Sequence, residues 1–409
     1  MTGIVVVGAG VVGLSIALEA QARGLSVTVV DRTGPAAEAS AGNAGAFAFS
    51  DILPLASPGI LRQAPKWLLD PLGPLSIPVA YMPRLLPWMW RFWRASGPAQ
   101  VAASTRAQAA MMRLGAETLG PFLERAGLAN MLRREGQLQV YEGRAEFEAS
   151  MQGWDARTAE GVAFRHLRGD EIAEVQPGLS PRFTHAAFTP GWCTIDDPRD
   201  YTLALADRFR ATGGEIVIAN ATALTADGVA TSAGDMTGTV VIAAGAWSHH
   251  LTRSAGVHIP LETERGYNTT LPGNAFDLRQ HITFSGHGFV ASRLASGLRI
   301  GGAVELGGLD RPPNMARADA MLKKARAFMP GLDTSGGTQW MGFRPSLPDS
   351  LPAIGPLPGR ANVICAFGHG HLGLTQSTAT ARVVADLLTG QDPGMDLAPF
   401  SPARFGRAA

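Results

Sequence analysis

Gly8-Ala9-Gly10-Val11-Val12-Gly13 spells G-x-G-x-x-G, and Asp31 stands 18 residues beyond its last glycine. In such a loop the first glycine turns the chain and the second lets backbone approach a pyrophosphate. The third packs a helix on a strand. An acid at that distance takes ribose hydroxyls and argues against a 2′-phosphate, although Arg32 beside it weakens that argument. A second glycine run, Gly368-His369-Gly370-His371-Leu372-Gly373, has the same spacing. No strand and acid follow it, so it is not a second dinucleotide unit. Its helix N-terminus can instead face negative charge developing on a cofactor. His369 and His371 are candidates to touch ligand, the alternative being surface hydrogen-bonding.

The neighbouring elements give the first motif its weight. Residues 4–7 are a β-branched run, typical of a buried parallel strand. A helical stretch runs from Val11 to Arg23, Gly24 stops it, and a second strand over Val27–Val30 ends at Asp31. The sequence predicts helices over 104–128, 144–160, 316–329 and 375–388. Asp197-Pro198-Arg199-Asp200 starts another, with Asp at the N-cap and Pro at the first position. Strands are predicted at 215–219, 239–243 and 362–367, with alternation over 261–271 and 281–304. So βαβ elements open the chain, return near 197–245 and return again at 362–390. The expected class is α/β, a Rossmann-type dinucleotide domain interleaved with an α+β substrate domain on a mainly antiparallel sheet. The first domain takes 1–56, 194–256 and 340–409, and the second takes 57–193 and 257–339.

Composition excludes other classes. The chain has 409 residues, 35 Lys and Arg against 34 Asp and Glu, and 17% charged residues, against about 25% in an average domain. That balance gives no basic face for nucleic acid. Two cysteines, Cys193 and Cys365, exclude a disulfide scaffold and a zinc ribbon, and no metal site is expected. The 49 glycines suit a protein that wraps a large cofactor. No secretory signal is visible, so a cytoplasmic location is the default. Ile77–Trp93 is apolar but holds Pro78, Pro83, Pro87, Arg84 and Arg91, which rules out an uncharged spanning helix. Trp88, Trp90 and Trp93 with Arg84, Arg91 and Arg94 leave three readings open: peripheral contact with the inner face of the cytoplasmic membrane, contact with a partner subunit, or packing inside the substrate domain.

The opening GAGVVGLSIALEAQARGLSVTVVDR, ASAGNAG at 39–45, TVVIAAGAWS at 239–248, GFRPSLPDSLPAIGP at 342–356 and GHGHLGLT at 368–375 resemble the D-amino-acid oxidase and dehydrogenase superfamily of flavoproteins. The blocks follow the family's order along nearly the whole chain and look closest to bacterial D-amino-acid dehydrogenases. Arg265-Gly266-Tyr267 and the Pro- and Trp-rich segment before residue 95 resemble the branch acting on D-proline and hydroxy-D-proline.

The resemblance implies FAD. Gly8, Gly10 and Gly13 would meet its pyrophosphate, Asp31 its adenosine ribose, and Ala221 its adenine, with Val12 and Arg32 also among the cofactor-binding positions. Ser40, Asn43, Ala44 and Gly45 fall in the loop beside pyrophosphate and flavin. Ala244, Gly245 and Trp247 form a second cofactor-facing turn. Gly368, His369, Gly370, His371, Leu372, Gly373, Leu374 and Thr375 would wrap the ribityl chain and pyrimidine edge. No His or Cys occurs between residues 1 and 100, so the FAD is expected to be non-covalent.

Arg344 matches the family's carboxylate-binding arginine, a planar fork suited to bidentate grip; the alternative is a solvent-facing loop arginine. Tyr267 matches a substrate-facing position, and a core aromatic is the alternative. His371 completes the catalytic candidates, while His287 reads as a packed histidine. The implied reaction oxidises the C–N bond of a D-amino acid. Hydride leaves Cα for flavin N5, an imino acid forms, and electrons go to a quinone or another acceptor. The rivals are oxidation of sarcosine, an opine or another secondary amine, a non-catalytic flavin-binding subunit, and a nicotinamide-dependent monooxygenase.

Overall fold

The computed structural model describes residues 3–57, 73 and 75–406. Part of the proline-rich stretch, residues 58–72 and 74, lies outside the described residues. Five strands run parallel in the order Glu215–Ile218, Val27–Asp31, Ile4–Val7, Thr239–Ile242 and Arg360–Phe367, with Ala353–Leu357 antiparallel at one edge. They come from three separate stretches of chain. The central strands, IVVV and TVVI, are buried runs, as a sheet covered on both faces requires. Helix Val11–Ala22 packs between Ser377–Thr389 and Pro198–Ala211. It has no polar face and buries Leu14, Ile16, Ala17 and Ala20. The Asp197 side chain caps Pro198–Ala211 by accepting from Arg199 N at 2.8 Å and Asp200 N at 3.3 Å, a device worth about 1 kcal/mol.

Gly8 ends the strand Ile4–Val7 and turns into the first helix with φ +116°. A Cβ there would collide with the Ala243 carbonyl at the end of the neighbouring strand. The ends of two parallel strands and a helix N-terminus thus converge on one point.

The second sheet is mostly antiparallel, in the order Thr338–Ser346, Glu262–Leu271, Gly297–Glu305, Phe289–Leu294, His281–Phe284, Gln137–Glu142, Phe183–Thr189 and Arg165–Arg168. His281–Phe284 pairs parallel with Gln137–Glu142. The alternation over 281–304 resolves into three strands turned at Gly288 and Gly297, both in the left-handed region. Thr338–Ser346 belongs to this sheet through Glu262–Leu271, so the sheet reaches residue 346 and crosses the boundary expected at 340.

Two helices differ from expectation. Pro98–Ala126 starts six residues before residue 104, because Pro98 fits a first turn, and Gly127 closes it in the left-handed conformation. Met82–Ala95 is helical despite its prolines. Pro83 lies in the first turn, where no N–H partner is needed, and the helix tolerates Pro87 inside because one face is anchored. Leu85 and Trp88 are buried against Leu306, with Val304 alongside, and each contributes about 1.5–3 kcal/mol. Leu86, Trp90 and Trp93 are 57%, 58% and 49% exposed. Of the three tryptophans, only Trp88 packs inside. No helix among the described residues is long and apolar enough to cross a membrane.

Gly8→Ala should lower the unfolding free energy by about 2–4 kcal/mol, combining a strained φ with a backbone collision. A urea melt with an unchanged midpoint would refute the close approach.

Candidate active site

The strand ends and the second sheet enclose a cavity of about 580 Å³, within the roughly 300–1,000 Å³ usual for ligand clefts. At one end Gly8, Gly10 and Val12 line it. Helix Val11–Ala22 opens onto this end, and its cap residue Gly10 offers no side chain. The Ser40 hydroxyl accepts from Val11 N at 2.9 Å. This uncapped helix N-terminus, held against Ser40, is an anion site in its chemistry. Asp31 lines the same end and accepts backbone N–H groups from Ala9, Thr33 and Gly34 at 2.8–2.9 Å. Arg32 is ion-paired with Glu38, and its guanidinium lies 3.6 Å from the ring centre of Trp247, a cation–π contact. Ala221, Ala244 and Gly245 complete this end.

The loop after Ser40 is held from the second sheet. Asn268 Nδ2 donates to Gly42 O at 2.8 Å, and Arg299 Nη1 donates to Asn43 O at 2.6 Å. Asn43 lines the cavity. Gly45 lies behind it, where its carbonyl accepts from Ile195 N at 2.7 Å, and Ala44 does not line the cavity.

Arg344, His369, Gly370, His371, Gly373 and Leu374 also line the cavity, with Gly373 lying close to Val12. Arg344 sits on the edge strand, and its guanidinium lies flat over Gly266, where a Cβ would meet it at 2.5 Å. Its one hydrogen bond among the described residues runs from Nη1 to Ala303 O at 3.2 Å. Ala303 has φ +52°, rare for a residue with a side chain. It lies where the pairing slips between Arg265↔Glu305 and Tyr267↔Gly302. The bulge turns the Ala303 carbonyl toward the arginine. Burial pushes the guanidinium below its ordinary pKa, and the charge of Glu264 opposes that shift. The remaining donors of Arg344 are free for a ligand.

His371 Nε2 is 3.0 Å from Asp51 Oδ2. The two side chains keep 35% and 30% exposure, and His371, but not Asp51, lines the cavity. Burial works against a charge on His371, but the Asp51 hydrogen bond and charge outweigh it and raise its pKa. Burial would raise the Asp51 pKa, but its bond to His371 and the charges of His371 and Arg157 lower it. His369 is different. Its Nε2 lies 3.0 Å from Thr380 Oγ1, and burial pushes its pKa down to about 3, so the ring stays neutral.

Several expected residues stand off the cavity wall. Gly13 packs the helix on the Gly8 carbonyl. Gly368 packs under Leu347, and Leu372 joins an apolar cluster with Met112 and Trp192. The Thr375 hydroxyl accepts from Ala48 N at 3.0 Å. Tyr267 is placed apart from the cavity. The register pairs Glu264 with Arg344 and Gly266 with Gly342, so even-numbered residues share the arginine's face and Tyr267 points the other way. There its hydroxyl donates to Glu305 and accepts from Asn314 N at 3.1 Å. His287 is packed, bonded to Glu142 at 2.8 Å and lying against Phe328. Cys193 and Cys365 are buried and free. Sequence reasoning missed Asp51, Glu264, Asn268, Arg299 and Ala303, because each depends on cross-strand register or on contacts far along the chain.

The donor set fits FAD: a helix N-terminus for pyrophosphate, an acid at the end of the second strand, and a cleft continuous with an unsatisfied arginine. Comparison with known proteins agrees. The sequence matches the family described as FAD dependent oxidoreductase (DAO) over residues 3–387. It is 37% identical to a D-amino-acid oxidase of Bradyrhizobium diazoefficiens, over 98% of both chains. It is 30% identical to a D-amino acid dehydrogenase of Rhizobium johnstonii, over 98% of this chain and 100% of that one. Among solved structures, glycine oxidase from Geobacillus kaustophilus superposes with TM-score 0.76 at 23% identity, over 98% of both chains. L-proline dehydrogenase from P. horikoshii gives 0.76 at 20%, over 99% and 97%. Loops, cleft and ancestry point one way: the chain belongs to the DAO family of FAD-dependent oxidoreductases.

Proposed function

We propose that this enzyme oxidises the C–N bond of a D-amino acid, with D-proline and hydroxy-D-proline the first candidates. The observation that carries the reading is Arg344, a cavity-lining guanidinium with one hydrogen bond among the described residues. Such a fork grips a carboxylate. The names of the relatives at 30% identity and above supply the D-configuration. The L-amino-acid and glycine enzymes among the structural neighbours share the fold alone.

Bound FAD supplies the two-electron oxidation, and this chain's residues bind and orient. Gly8, Gly10, Ser40 and the first helix would hold its pyrophosphate, and Asp31 its ribose. Arg344 fixes the substrate carboxylate and with it the direction of the Cα–H bond. The imino acid that results is hydrolysed by water. The neutral ring of His369 takes no proton in this scheme. His371, whose pKa its bond to Asp51 raises, adds positive potential beside the carboxylate site when its ring is protonated.

The helix Met82–Ala95 is assigned to an anionic lipid surface. Val79, Leu86, Trp90 and Trp93 are exposed, and Arg84, Arg91 and Arg94 are exposed among them. No acidic residue occurs between Asp70 and Glu117. A basic amphipathic helix with aromatic residues suits a membrane interface, where a quinone is the natural electron acceptor.

An anaerobic visible spectrum titrated with D- and L-amino acids and secondary amines tests the reaction. D-proline or another D-amino acid should bleach the flavin bands, whereas bleaching by sarcosine or L-amino acids alone would overturn the reading. Arg344→Met should cost about 100-fold in kcat/KM, as loss of charge-assisted hydrogen bonds worth about 1.5–3 kcal/mol predicts. Cyclopentanecarboxylate, proline's ring and carboxylate without nitrogen, should inhibit. Its affinity should fall as pH rises through the raised His371 pKa, because the imidazolium loses its charge. In His371→Asn that pH dependence should vanish; its persistence would remove His371 from the site. Sedimentation with phosphatidylglycerol vesicles should carry the protein down, and Arg91→Glu/Arg94→Glu should leave it in solution. Failure of the unaltered protein to bind would refute the lipid assignment.

A further inference from the structure

We propose that Glu264 binds the cationic amine of the substrate, so that Glu264 and Arg344 together receive the two charges of a zwitterion. The proposal rests on the amino-acid reading above and adds the second half of its recognition. Glu264 and Arg344 are directly paired across two antiparallel strands. Side chains so placed have Cβ atoms about 4.5–5.5 Å apart and ordinarily meet. These two do not. Arg344 swings over Gly266 to the Ala303 carbonyl, and no ion pair within 4.0 Å joins it to Glu264 among the described residues.

Glu264 is only 6% exposed, and its one side-chain hydrogen bond among the described residues comes from Ser346 Oγ at 2.6 Å. A carboxylate so buried costs free energy unless a cation or further donors compensate it. The two side chains are therefore opposite charges, adjacent and on one face, each left incomplete.

The position of Glu264 suits a ligand rather than a structural partner. Ser346 bridges to His369 through backbone, and its hydroxyl lies 3.5 Å from where a Cβ on Gly370 would stand. Arg344, His369 and Gly370 line the cavity, and Glu264 stands directly behind that wall, one side chain deep. Its charge is felt at both Arg344 and His371. An α-amino acid carries a cation and a carboxylate one carbon apart, the complement of this pair. A 2-hydroxy acid or a plain carboxylate would satisfy Arg344 and leave Glu264 buried without a counter-charge. The pair thus selects amino acids over hydroxy acids of the same shape, since a buried polar group left unpaired discriminates strongly.

The test uses the flavin-loaded enzyme and the D-amino acid that bleaches it fastest. Glu264→Gln should raise KM for that substrate at least about tenfold, with kcat changed less than about threefold. The inhibition constant of cyclopentanecarboxylate should stay constant or fall, because a repelling charge is gone. An unchanged KM, or an inhibition constant that rises in parallel with KM, would overturn the proposal, the latter marking a purely structural role. The unaltered enzyme provides a check independent of folding: D-lactate should bind at least about tenfold more weakly than D-alanine, and equal affinities would overturn it. Bleaching of the unaltered enzyme by no amino acid would instead overturn the parent reading.

Discussion

A guanidinium kept partly buried, with a single hydrogen bond among the described residues, is the constraint around which the second sheet is arranged. Arg344 loses water by burial and regains little from protein, and an uncompensated charge in that position is costly. The fold tolerates it by local adjustments. Gly266 supplies a bare backbone for the side chain to lie on, and Ala303 adopts a left-handed conformation that turns its carbonyl. Glu264 supplies opposing charge without closing on it. A strained φ and a bulge at the arginine's own position are features that ligand sites carry.

The nucleotide half was legible because its signals are local. A glycine loop, the strand before it, the helix after it and Asp31 all fall within the first 31 residues, and their roles follow from spacing. The substrate half was legible only through resemblance, and there Arg344 and Tyr267 fared differently. Both lie in strands, and which face a strand residue takes is set by pairing with another strand. The register Glu264↔Arg344 puts Tyr267 on the far face, where it meets Glu305. A one-residue slip would have reversed that, and nothing in the strand's own sequence fixes the phase. Glu264 lay unnoticed three residues before Tyr267 for the same reason. Asp51 reaches His371 across 320 positions of chain, a contact no local pattern announces. The helix Met82–Ala95 went unseen because prolines masked its period, although Leu85 and Trp88 anchor it.

The two halves share a packed core, with helix Pro98–Ala126 lying on Ser377–Thr389, and a few specific polar contacts join them at the cavity. The Ser346–His369 bridge joins the edge of the large sheet to the loop before helix Ser377–Thr389. His371 reaches Asp51, just past the loop 39–45. Arg344, which belongs to the large sheet, thereby stands against the loop that follows Arg360–Phe367 in the parallel one. A carboxylate held there lies at the seam where cofactor and substrate must touch.

The loop 39–45 has a further consequence. Ser40 bonds the first helix, while the carbonyls of Gly42 and Asn43 receive Asn268 and Arg299 from the large sheet. One short segment therefore serves as a shared wall, gripped from opposite sides. Where a shared wall is ordered by one guest, the second guest finds part of that ordering already done, and the two affinities become linked by a common, reciprocal factor. In this protein the prosthetic group and the small molecule it oxidises would be thermodynamic neighbours through the Gly42 and Asn43 carbonyls and the amide and guanidinium that hold them, whether or not they ever touch.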